Sequence, residues 1–572
     1  PTGLGKTISA LAPALTYSLN KPITIFFLTS RHTQHKIAIE TLQIIKQKFK
    51  LDFKVSDLIG KRHMCLQPSI ELLRSSEFSD YCKDQTEKGL CDYYENTKIK
   101  FNVKLLFEKI KDILHVEETK ELCKEVKLCP YEISCLYAKD SKIIVCDYNH
   151  LLNLSIRGTI LQKTKKELEN SIIIIDEAHN LPSRIRDNLT VQLSTYTLRQ
   201  SIKELSSTLG PYITNLQNIL EKFSKQIPIT EHEIIIKKEA FVEEINKEIN
   251  YSDLVDTLDK VSEIIMEEKK RCFTKTIANF LQSWLGPNES FSRILTRDFD
   301  KKGKVVLTLT YRCLDPSIIL KPLSEQCHSL ILMSGTLSPT EMYKDLFSIN
   351  AKCLEYSNPF PVKNKLSLIV PGITTKFTLR NENMYRKIAS HCSDVVNNIP
   401  GNSIIYFPSY QLREEISNFL NIEKTIITEQ KEFTKKEKFE VLGKFEIYKK
   451  SGCVLLAISS GNFGESIDLL GDLLKCVVIV GLPLPQPDLE IKELIRYYDL
   501  KFKKGWDYGY ILPSIIKSFQ NAGRCIRSET DKGMIIYLDE RYSWPNYYKS
   551  FPKGENIKIT KEPLKYIKEF FN

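Results

Sequence analysis

The sequence lacks a long apolar run, an internal repeat and a low-complexity linker. No stretch approaches the roughly 18 apolar residues that a membrane-spanning helix needs, and no signal peptide is visible, so we expect no membrane association. The absence of a repeat argues against a solenoid or a propeller. The composition is that of a globular protein, with 42% apolar and 27% charged residues.

Length and charge narrow the class further. At 572 residues, the chain is too long for a single core and suggests three or four domains. The net charge of +11 permits a polyanionic partner such as nucleic acid without requiring one. Fifteen cysteines in an apparently intracellular chain indicate buried thiols and metal ligation rather than a disulfide framework.

The chain begins with a phosphate-binding pattern. Residues 1–7 match all but the first position of G/A-x-x-x-x-G-K-[ST], and a helix is expected over residues 8–19. Backbone N–H groups of such a loop surround the β-phosphate, and the following helix directs its positive end at the same anion. Lys6 would reach the β- and γ-phosphates, and the Thr7 hydroxyl would take one Mg²⁺ position. The expected nucleotide contacts here are Thr2, Gly3, Gly5, Lys6 and Thr7.

No initiator methionine is present, and the first residue of the loop would precede Pro1. We therefore expect a fragment that lacks the strand entering this loop and any segment that contacts adenine.

A second acidic motif follows the apolar run at residues 171–175. Asp176 and Glu177 stand at the expected carboxyl end of this strand, followed by Ala178 and His179. Asp176 would hold Mg²⁺, usually through water, and Glu177 would polarise the attacking water. An acidic pair at a strand end is equally typical of a solvated turn, but its combination with a phosphate loop indicates nucleotide hydrolysis.

A third motif lies far downstream, at residues 520–527. Arg524 and Arg527 are three positions apart and would share one face of a helix. Two planar, permanently charged guanidinium groups suit a transferring phosphoryl group, whereas the alternative is a basic surface patch. Gln520 would help to place the lytic water. Such arginine fingers need a second domain that faces the first, which ties hydrolysis to the opening and closing of a cleft.

Two stretches of the sequence do not show the alternation of strands and helices. Residues 60–139 lose regularity and contain six cysteines, and residues 211–285 contain no glycine and show helical apolar spacing. Strand-like runs resume near residues 304–309 and 330–333. A second alternating region extends from about residue 367 to the end, with strands expected at 403–407, 454–458, 477–480 and 534–538. The sequence therefore predicts two α/β units, the first with two insertions.

The cysteines of the first irregular stretch suggest a metal centre. Cys65, Cys82, Cys91 and Cys129 are separated by 16, 8 and 37 residues, with no C-x₂-C pair. Four thiolates without a nearby histidine can hold either zinc or an Fe–S cluster, and the spacing alone does not decide. The missing C-x₂-C pair weakens the case for a zinc ribbon.

Taken together, the motifs resemble the superfamily 2 helicases, specifically the iron–sulfur branch typified by XPD, with DinG, FANCJ and RTEL as relatives. In size, the chain is most similar to an archaeal XPD. The matching strings, in the order of that family, are residues 1–7, Ser30-Arg31-His32-Thr33-Gln34, residues 176–179, residues 332–339, Tyr406-Phe407-Pro408-Ser409-Tyr410, residues 461–468 and residues 520–527.

The resemblance implies an α/β fold of two RecA-like P-loop motor domains. The first domain would comprise residues 1–60, 141–195 and 301–350, with an Fe–S domain at 61–140 and a helical Arch-type domain at 196–300; the second would comprise 351–572. The implied activity is ATP- and Mg²⁺-dependent translocation, 5′→3′ on single-stranded DNA, with unwinding of duplex DNA in repair. The expected partners are single-stranded and forked DNA and repair-complex proteins. We expect a monomer, cytoplasmic and nucleoid-associated in an archaeon or nuclear in a eukaryote.

Several residue roles follow only from this resemblance. Ser334, Gly335 and Thr336 would couple the nucleotide site to the DNA path. Gly461, Glu465 and Asp468 would lie at the cleft between the domains and contact nucleotide. Arg31, Ser409 and Tyr410 would touch the DNA backbone.

The resemblance also implies a 4Fe–4S cluster, with Cys65 and Cys129 as first and last ligands. Cys82 and Cys91 are favoured as the middle ligands, although Cys123 and Cys135 are the alternative of the DinG type. Under the favoured set, Cys123, Cys135 and Cys146 are structural thiols. We expect the cluster to stabilise an irregular segment rather than to transfer electrons.

Three residues near the cysteines are weaker candidates for DNA contact. Lys61 and Arg62 would grip phosphates where the strands separate, or would belong to a solvated loop. Tyr148 would stack on a base, or would be a core residue.

Two rival functions remain at this stage. The first is a DinG-like ATPase with nuclease activity, although the sequence shows no acidic nuclease set. The second is a non-catalytic scaffold in a repair complex, which the presence of Lys6, Asp176, Glu177, Arg524 and Arg527 disfavours.

Overall fold

The structure is a computed structural model that describes residues 5–73, 75–205, 209–268, 272–356, 360–465, 473–526, 528–552 and 555–571. Four residues of the predicted sites, Thr2, Gly3, Asp468 and Arg527, lie outside these ranges. The side chain of Glu465 is also outside the description.

The chain begins as an α/β unit and then becomes entirely helical. Residues 5–60 form α1 (Lys6–Ser18), β1 (Thr24–Thr29), α2 (His32–Phe49) and β2 (Val55–Leu58). The described part of the cysteine-rich region that follows contains α3 (Lys61–Met64), α4 (Ser75–Glu87), α5 (Asp92–Lys98), α6 (Lys100–Lys109), α7 (Val116–Glu125) and α8 (Pro130–Ala138).

The α/β pattern then returns before a second insertion. Its elements are β3 (Ile143–Asp147), α9 (Asn149–Leu152), α10 (Leu154–Thr164), β4 (Ser171–Ile175) and α11 (Leu181–Asn188). The second insertion comprises β5 (Val191–Ser194), α12 (Thr195–Ile202), α13 (Gly210–Ser224), β6 (Glu233–Ile235), α14 (Lys238–Asn246), α15 (Tyr251–Glu268), α16 (Phe273–Trp284), β7 (Phe291–Phe299) and β8 (Val305–Cys313).

The second insertion is not purely helical. Strands β5, β8, β7 and β6 form an antiparallel sheet in that order, with Ile294 opposite Thr310. Residues 304–309, which we expected to resume the first motor sheet, pair instead within this insertion. The prediction was wrong because alternating apolar residues indicate a strand but not its partner.

The first motor sheet is parallel and buried. After α17 (Ser317–Gln326), β9 (Ser329–Leu332) and α18 (Thr340–Phe347), its strand order is β2-β3-β1-β4-β9. All six residues of β1 and all five of β4 are buried, since helices cover both faces. Because the strands are parallel, their carboxyl ends meet at one edge, where ligands of such sheets bind.

The second motor domain has a seven-stranded parallel sheet. Its elements are β10 (Lys365–Ile369), α19 (Glu382–Asn398), β11 (Ser403–Phe407), α20 (Tyr410–Ser417), β12 (Thr425–Thr428), α21 (Lys435–Ile447), β13 (Cys453–Ile458), α22 (Asn462–Glu465), β14 (Cys476–Val480), α23 (Leu489–Phe502), α24 (Leu512–Ala522), β15 (Gly533–Leu538), α25 (Pro545–Tyr548), β16 (Ile557–Ile559) and α26 (Pro563–Phe571). The strand order is β12-β13-β11-β14-β15-β10-β16. All four strands predicted here are present.

Helix α23 belongs to the second domain by sequence but packs on the first. Leu494 and Tyr498 lie in the core that contains β1 and β4. The Tyr497 hydroxyl donates to Asp315 Oδ2 at 2.6 Å, and the Leu489 N–H donates to Glu233 Oε2 at 2.6 Å. The second domain is thereby joined to the first domain and to the second insertion.

Helix α24 links the two motor cores. Leu512 and Ile516 pack in the first core, whereas Ile515 and Ala522 pack in the second. Among the described residues, none of the helices is both long and apolar enough to cross a membrane.

Candidate nucleotide site and cysteine cavity

The phosphate loop and the acidic motif meet at the carboxyl edge of the first sheet. Gly5 adopts a left-handed φ of 67° immediately before α1, so Lys6 and Thr7 form the first turn of that helix. Lys6 Nζ lies 3.1 Å from Glu177 Oε1, although the two residues are 171 positions apart. The predicted coupling of residues 1–7 to residues 176–179 is therefore a contact between Lys6 and Glu177.

Glu177 is the centre of a polar network. Ser334 Oγ donates to Glu177 Oε2 at 3.0 Å, and His179 Nδ1 lies 2.6 Å from the same hydroxyl. The Thr336 N–H also donates to Ser334 Oγ, at 3.1 Å. Glu177 itself has a φ of 50°, a strained conformation for a residue with a side chain, and such strain is typical of functional sites. The network joins the acidic motif to residues 334–336.

The pKa values of Asp176 and Glu177 are shifted in opposite directions. Burial and the charge of Glu177 raise the pKa of Asp176 to about 6. Burial acts in the same sense on Glu177, but the hydrogen bond from His179 and the ammonium of Lys6 lower its pKa. Glu177 is thus held ionised, as a proton acceptor must be, and a cation beside Asp176 would favour its ionised form.

In the second motor domain, a loop lies beside Arg524, one of the two predicted arginine fingers. Arg524 is buried and donates from Nη2 to the Gly464 carbonyl at 2.6 Å. Asn521 Nδ2 contacts the Ser459 carbonyl at 3.4 Å, and Gln520 lies half-buried at the end of α24. In this arrangement, the Arg524 guanidinium is bonded within the second domain, next to the segment that begins at Gly461.

The residues predicted to contact DNA differ in their exposure and in their hydrogen bonds. Arg31 is half-buried at the N-cap of α2, and Ser409 is exposed at the N-cap of α20, where its hydroxyl accepts from the Leu412 N–H. Tyr410 is half-buried. Tyr148, by contrast, is 5% exposed and its hydroxyl donates to the Asp176 carbonyl, so its ring is a core element and not a stacking surface.

Four cysteines line a single cavity in the cysteine-rich region. The cavity is lined by Cys65, Cys82, Cys91 and Cys129 together with Lys61, Leu66, Gln67, Phe78, Thr86, Tyr93, Tyr94, Pro130 and Tyr131. Cys65 ends α3, Cys82 lies on α4, and Cys129 caps α8. Within the described ranges, no three metal-binding side chains are grouped closely enough for a single ion.

The alternative ligands lie away from this cavity. Cys123 packs with Leu106, Leu128 and Ile133, and Cys135 lies in the first motor core. Burial raises the pKa of each of these two thiols to about 12. Burial raises the pKa of Cys129 in the same way, and a cation in the cavity would favour its thiolate form.

Lys61 and Arg62 have partners that change their expected role. Lys61 lines the cavity, with Nζ 4.0 Å from Glu132 Oε1 and 5.4 Å from the centre of the Tyr131 ring. Burial lowers the pKa of Lys61, but the neighbouring Cys82 and Glu132 raise it overall. Arg62 donates from Nη2 to the Glu71 carbonyl at 3.0 Å. Lys61 thus lies beside the thiols, although its side chain remains 35% exposed.

A buried ionic group connects the cysteine-rich region to the motor sheet. His35 on α2 contacts Asp57 Oδ1 at 2.5 Å and Asp147 Oδ1 at 3.3 Å. The second oxygens of these carboxylates accept from the Val116 N–H at 2.9 Å and the Gly60 N–H at 3.0 Å. Burial opposes protonation, but the two carboxylates raise the pKa of His35 to about 9. The sequence does not reveal this group, because Asp57 and Asp147 are 22 and 112 positions away from His35.

This geometry defines a class: a two-domain P-loop ATPase with two insertions in its first domain. Family comparisons agree with it. The DEAD_2 family matches residues 27–198, and the helicase C-terminal domain family matches residues 392–555.

Curated relatives are helicases. The chain is 24% identical to the ATP-dependent DNA helicase CHL1 of Yarrowia lipolytica, over 99% of this chain and 81% of that protein. It is 22% identical to the general transcription and DNA repair factor IIH helicase subunit XPD/RAD3 of Saccharomyces cerevisiae, over 95% and 83%. It is 24% identical to the ATP-dependent DNA helicase XPD of Sulfolobus acidocaldarius, over 95% and 91%.

A solved XPD helicase has the same fold, with a TM-score of 0.67 at 22% identity, covering 98% of this chain and 94% of that one. The chain belongs to the XPD/Rad3-type family of helicases and has two RecA-like helicase domains.

Proposed function

We propose that the protein is an ATP-dependent DNA helicase that moves 5′→3′ along single-stranded DNA and unwinds duplex DNA in repair. The single observation that carries this proposal is the network of Lys6, Glu177 and Ser334. Glu177, the proposed proton acceptor, lies within hydrogen-bonding distance of both Lys6 and Ser334, which supports a joint role for these three residues. The direction of movement and the repair role rest on the family resemblance.

In the proposed reaction, Lys6 leaves Glu177 to contact the β- and γ-phosphates of ATP. Glu177 then orients the attacking water and accepts its proton as the water oxygen bonds to the γ-phosphorus and the bond to the β–γ bridging oxygen breaks. Thr7 and Asp176 would hold Mg²⁺, which would neutralise charge on the phosphates. The Ser334 hydroxyl bonds directly to Glu177, so a movement of Glu177 during hydrolysis would also move Ser334.

The second domain would complete the site. Gln520, Arg524 and Arg527 are proposed to face the γ-phosphate when the domains close, and Gly461, Glu465 and Asp468 to contact nucleotide. Support comes from α24, which joins both cores and carries Gln520 near its end. Closure would require the Arg524 guanidinium to leave the Gly464 carbonyl.

We also propose a 4Fe–4S cluster bound by Cys65, Cys82, Cys91 and Cys129. The cavity lined by these four thiols supports the assignment over the set with Cys123 and Cys135. Four cysteine thiolates are the usual ligand set of such a cluster. The proposed DNA contacts are Arg31, Ser409, Tyr410 and Arg62, with single-stranded and forked DNA as ligands and repair proteins as partners.

Glu177→Gln tests the central claim. We expect ATP turnover stimulated by single-stranded DNA to fall about 10³-fold, because the amide accepts no proton, while iron content stays unchanged. Glu169→Gln is the matched control, since Glu169 is exposed just before the same strand. Unwinding should require a 5′ tail on the duplex. A wild-type protein whose turnover does not respond to single-stranded DNA would refute the helicase proposal.

A further inference from the structure

Glu429 carries a buried carboxylate that the proposed reaction does not use. It follows β12, is 0% exposed, and lies at the carboxyl edge of the second sheet. Its backbone N–H donates to the Leu456 carbonyl at 3.0 Å, which fixes the residue beside β13. A carboxylate without solvent needs donors from the protein, so its partners indicate what it holds in place.

The partners of Glu429 come from two other loops. Glu429 Oε2 accepts from the Ile458 N–H at 2.9 Å, and Oε1 accepts from the Asn462 N–H at 2.5 Å. The Tyr410 hydroxyl also donates to Oε1, at 3.4 Å. The Glu429 carbonyl in turn accepts from Arg413 Nη1, one turn after Tyr410 on α20. One side chain thus bonds to the segments that follow β11 and β13.

The contact with the second segment is tight. A Cβ atom placed on Gly461 would lie 2.3 Å from Glu429 Oε1, so the loop backbone rests directly on the carboxylate. Asn462 begins α22, and its side chain also donates to the Gln430 carbonyl at 3.3 Å. A shift of Glu429 therefore cannot occur without a shift of residues 461–462.

These two segments have different proposed roles. Tyr410 is a proposed DNA contact, whereas Gly461 is proposed to face nucleotide and Gly464 bonds to Arg524. We propose that Glu429 is a positioning residue that couples DNA binding at Tyr410 to the nucleotide-facing segment at 461–465. The inference rests on the proposed function, because it concerns how DNA stimulates ATP turnover.

Glu429→Gln separates coupling from binding. The amide keeps the size of the side chain but turns one acceptor into a donor that faces a backbone N–H. Because couplings between sites typically correspond to about 5- to 150-fold, we expect the ratio of DNA-stimulated to basal turnover to fall at least about fivefold. Affinity for single-stranded DNA without nucleotide should remain within about twofold.

Two further variants make the test specific. Glu423→Gln, at an exposed glutamate six residues earlier, should keep the wild-type ratio. Tyr410→Phe removes only the hydroxyl that contacts Glu429 and should lower the ratio in the same sense. The double variant Tyr410→Phe with Glu429→Gln should be no worse than Glu429→Gln alone, since residues acting through one contact are not additive.

The outcomes are distinguishable. A wild-type ratio in Glu429→Gln, with or without a lower melting temperature, would overturn the coupling role and leave the helicase proposal intact. If Glu429→Gln does not fold, Tyr410→Phe decides, and an unchanged ratio there overturns the role. A wild-type protein without DNA stimulation would instead refute the proposed function itself.

Discussion

The two insertions of the first motor domain are stabilised in different ways. In the described part of the cysteine-rich region, residues 61–138, the separate core consists of Leu106, Cys123, Leu128 and Ile133. In its described part, the insertion at 191–313 has a core of 23 buried residues, including Phe241 and Trp284, built on an antiparallel sheet. The cysteine-rich region also buries Met64, Val116 and Tyr131 in the first motor core, so it has little core of its own, whereas the other insertion has a large one.

This difference gives the proposed cluster a structural role in only one of the two insertions. The cavity lined by Cys65, Cys82, Cys91 and Cys129 lies where the apolar core is small. A bound cluster would then supply the stability that packing does not, as metals do in other small domains. The insertion with its own core has no comparable requirement.

The largest effect is expected from Cys129→Ser. Iron and the absorbance at about 400 nm should be lost, and proteolysis should cut within residues 61–138 while 191–313 stays protected. Cys272→Ser is the control in the other insertion, because Cys272 is an N-cap residue and serine is a favoured N-cap. Zinc in a colourless wild-type protein, or an intact cluster in Cys129→Ser, would contradict the cluster assignment.

Trp284→Ala tests the core of the insertion at 191–313. Trp284 is 0% exposed and packs edge-on against Phe241, with ring centres 5.0 Å apart. We expect a loss of about 3–5 kcal/mol in the stability of this insertion, measured by hydrogen exchange, with no change in iron content. Leu285→Ala, at the exposed neighbour, should cost less than about 0.5 kcal/mol. Loss of iron in Trp284→Ala would show that the insertions are not independent.

His35 predicts a pH dependence where the cysteine-rich region joins the first motor sheet. Its pKa is raised to about 9 in the folded protein, so its stabilisation is fully present below about pH 6.5 and is lost as the pH rises through 9. The expected loss is about 3 kcal/mol, seen as weaker protection of residues 61–138 from hydrogen exchange. The groups facing His35 are Asp57, Asp147, His32, His115 and His150.

His35→Gln should flatten this pH profile, because glutamine does not titrate. His232→Gln, at an exposed histidine in the other insertion, should leave it unchanged. A steep profile that persists in His35→Gln would assign the dependence to another group.

The fold was largely predictable because its signals are local. The runs at 171–175 and 477–480 are continuous apolar segments, typical of buried parallel strands, and both are confirmed. The sheet of the second insertion was missed because β7 and β8 pair with each other and with distant β5 and β6, and strand partners leave no local trace.

The residues of the candidate site also differ in whether the sequence predicts them. Lys6 and Glu177 could be predicted because each belongs to a contiguous motif. Glu429 and His35 could not, since Glu429 bonds mainly to backbone N–H groups, which every residue except proline carries, and His35 bonds to carboxylates far along the chain. Tyr148 was ambiguous because an aromatic residue after a strand suits both a core and a stacking surface.

Helix α23 has a mechanical consequence. In the chain, this helix belongs to the second motor domain. Leu494, Tyr498 and the hydrogen bond from Tyr497 to Asp315 nevertheless fix it to the first motor domain. If the two motor domains rotate relative to each other during turnover, the bending falls on the link that precedes this helix and on α24, which packs on both cores. The preceding link, residues 482–488, contains three prolines, which limit the torsions through which that rotation can pass.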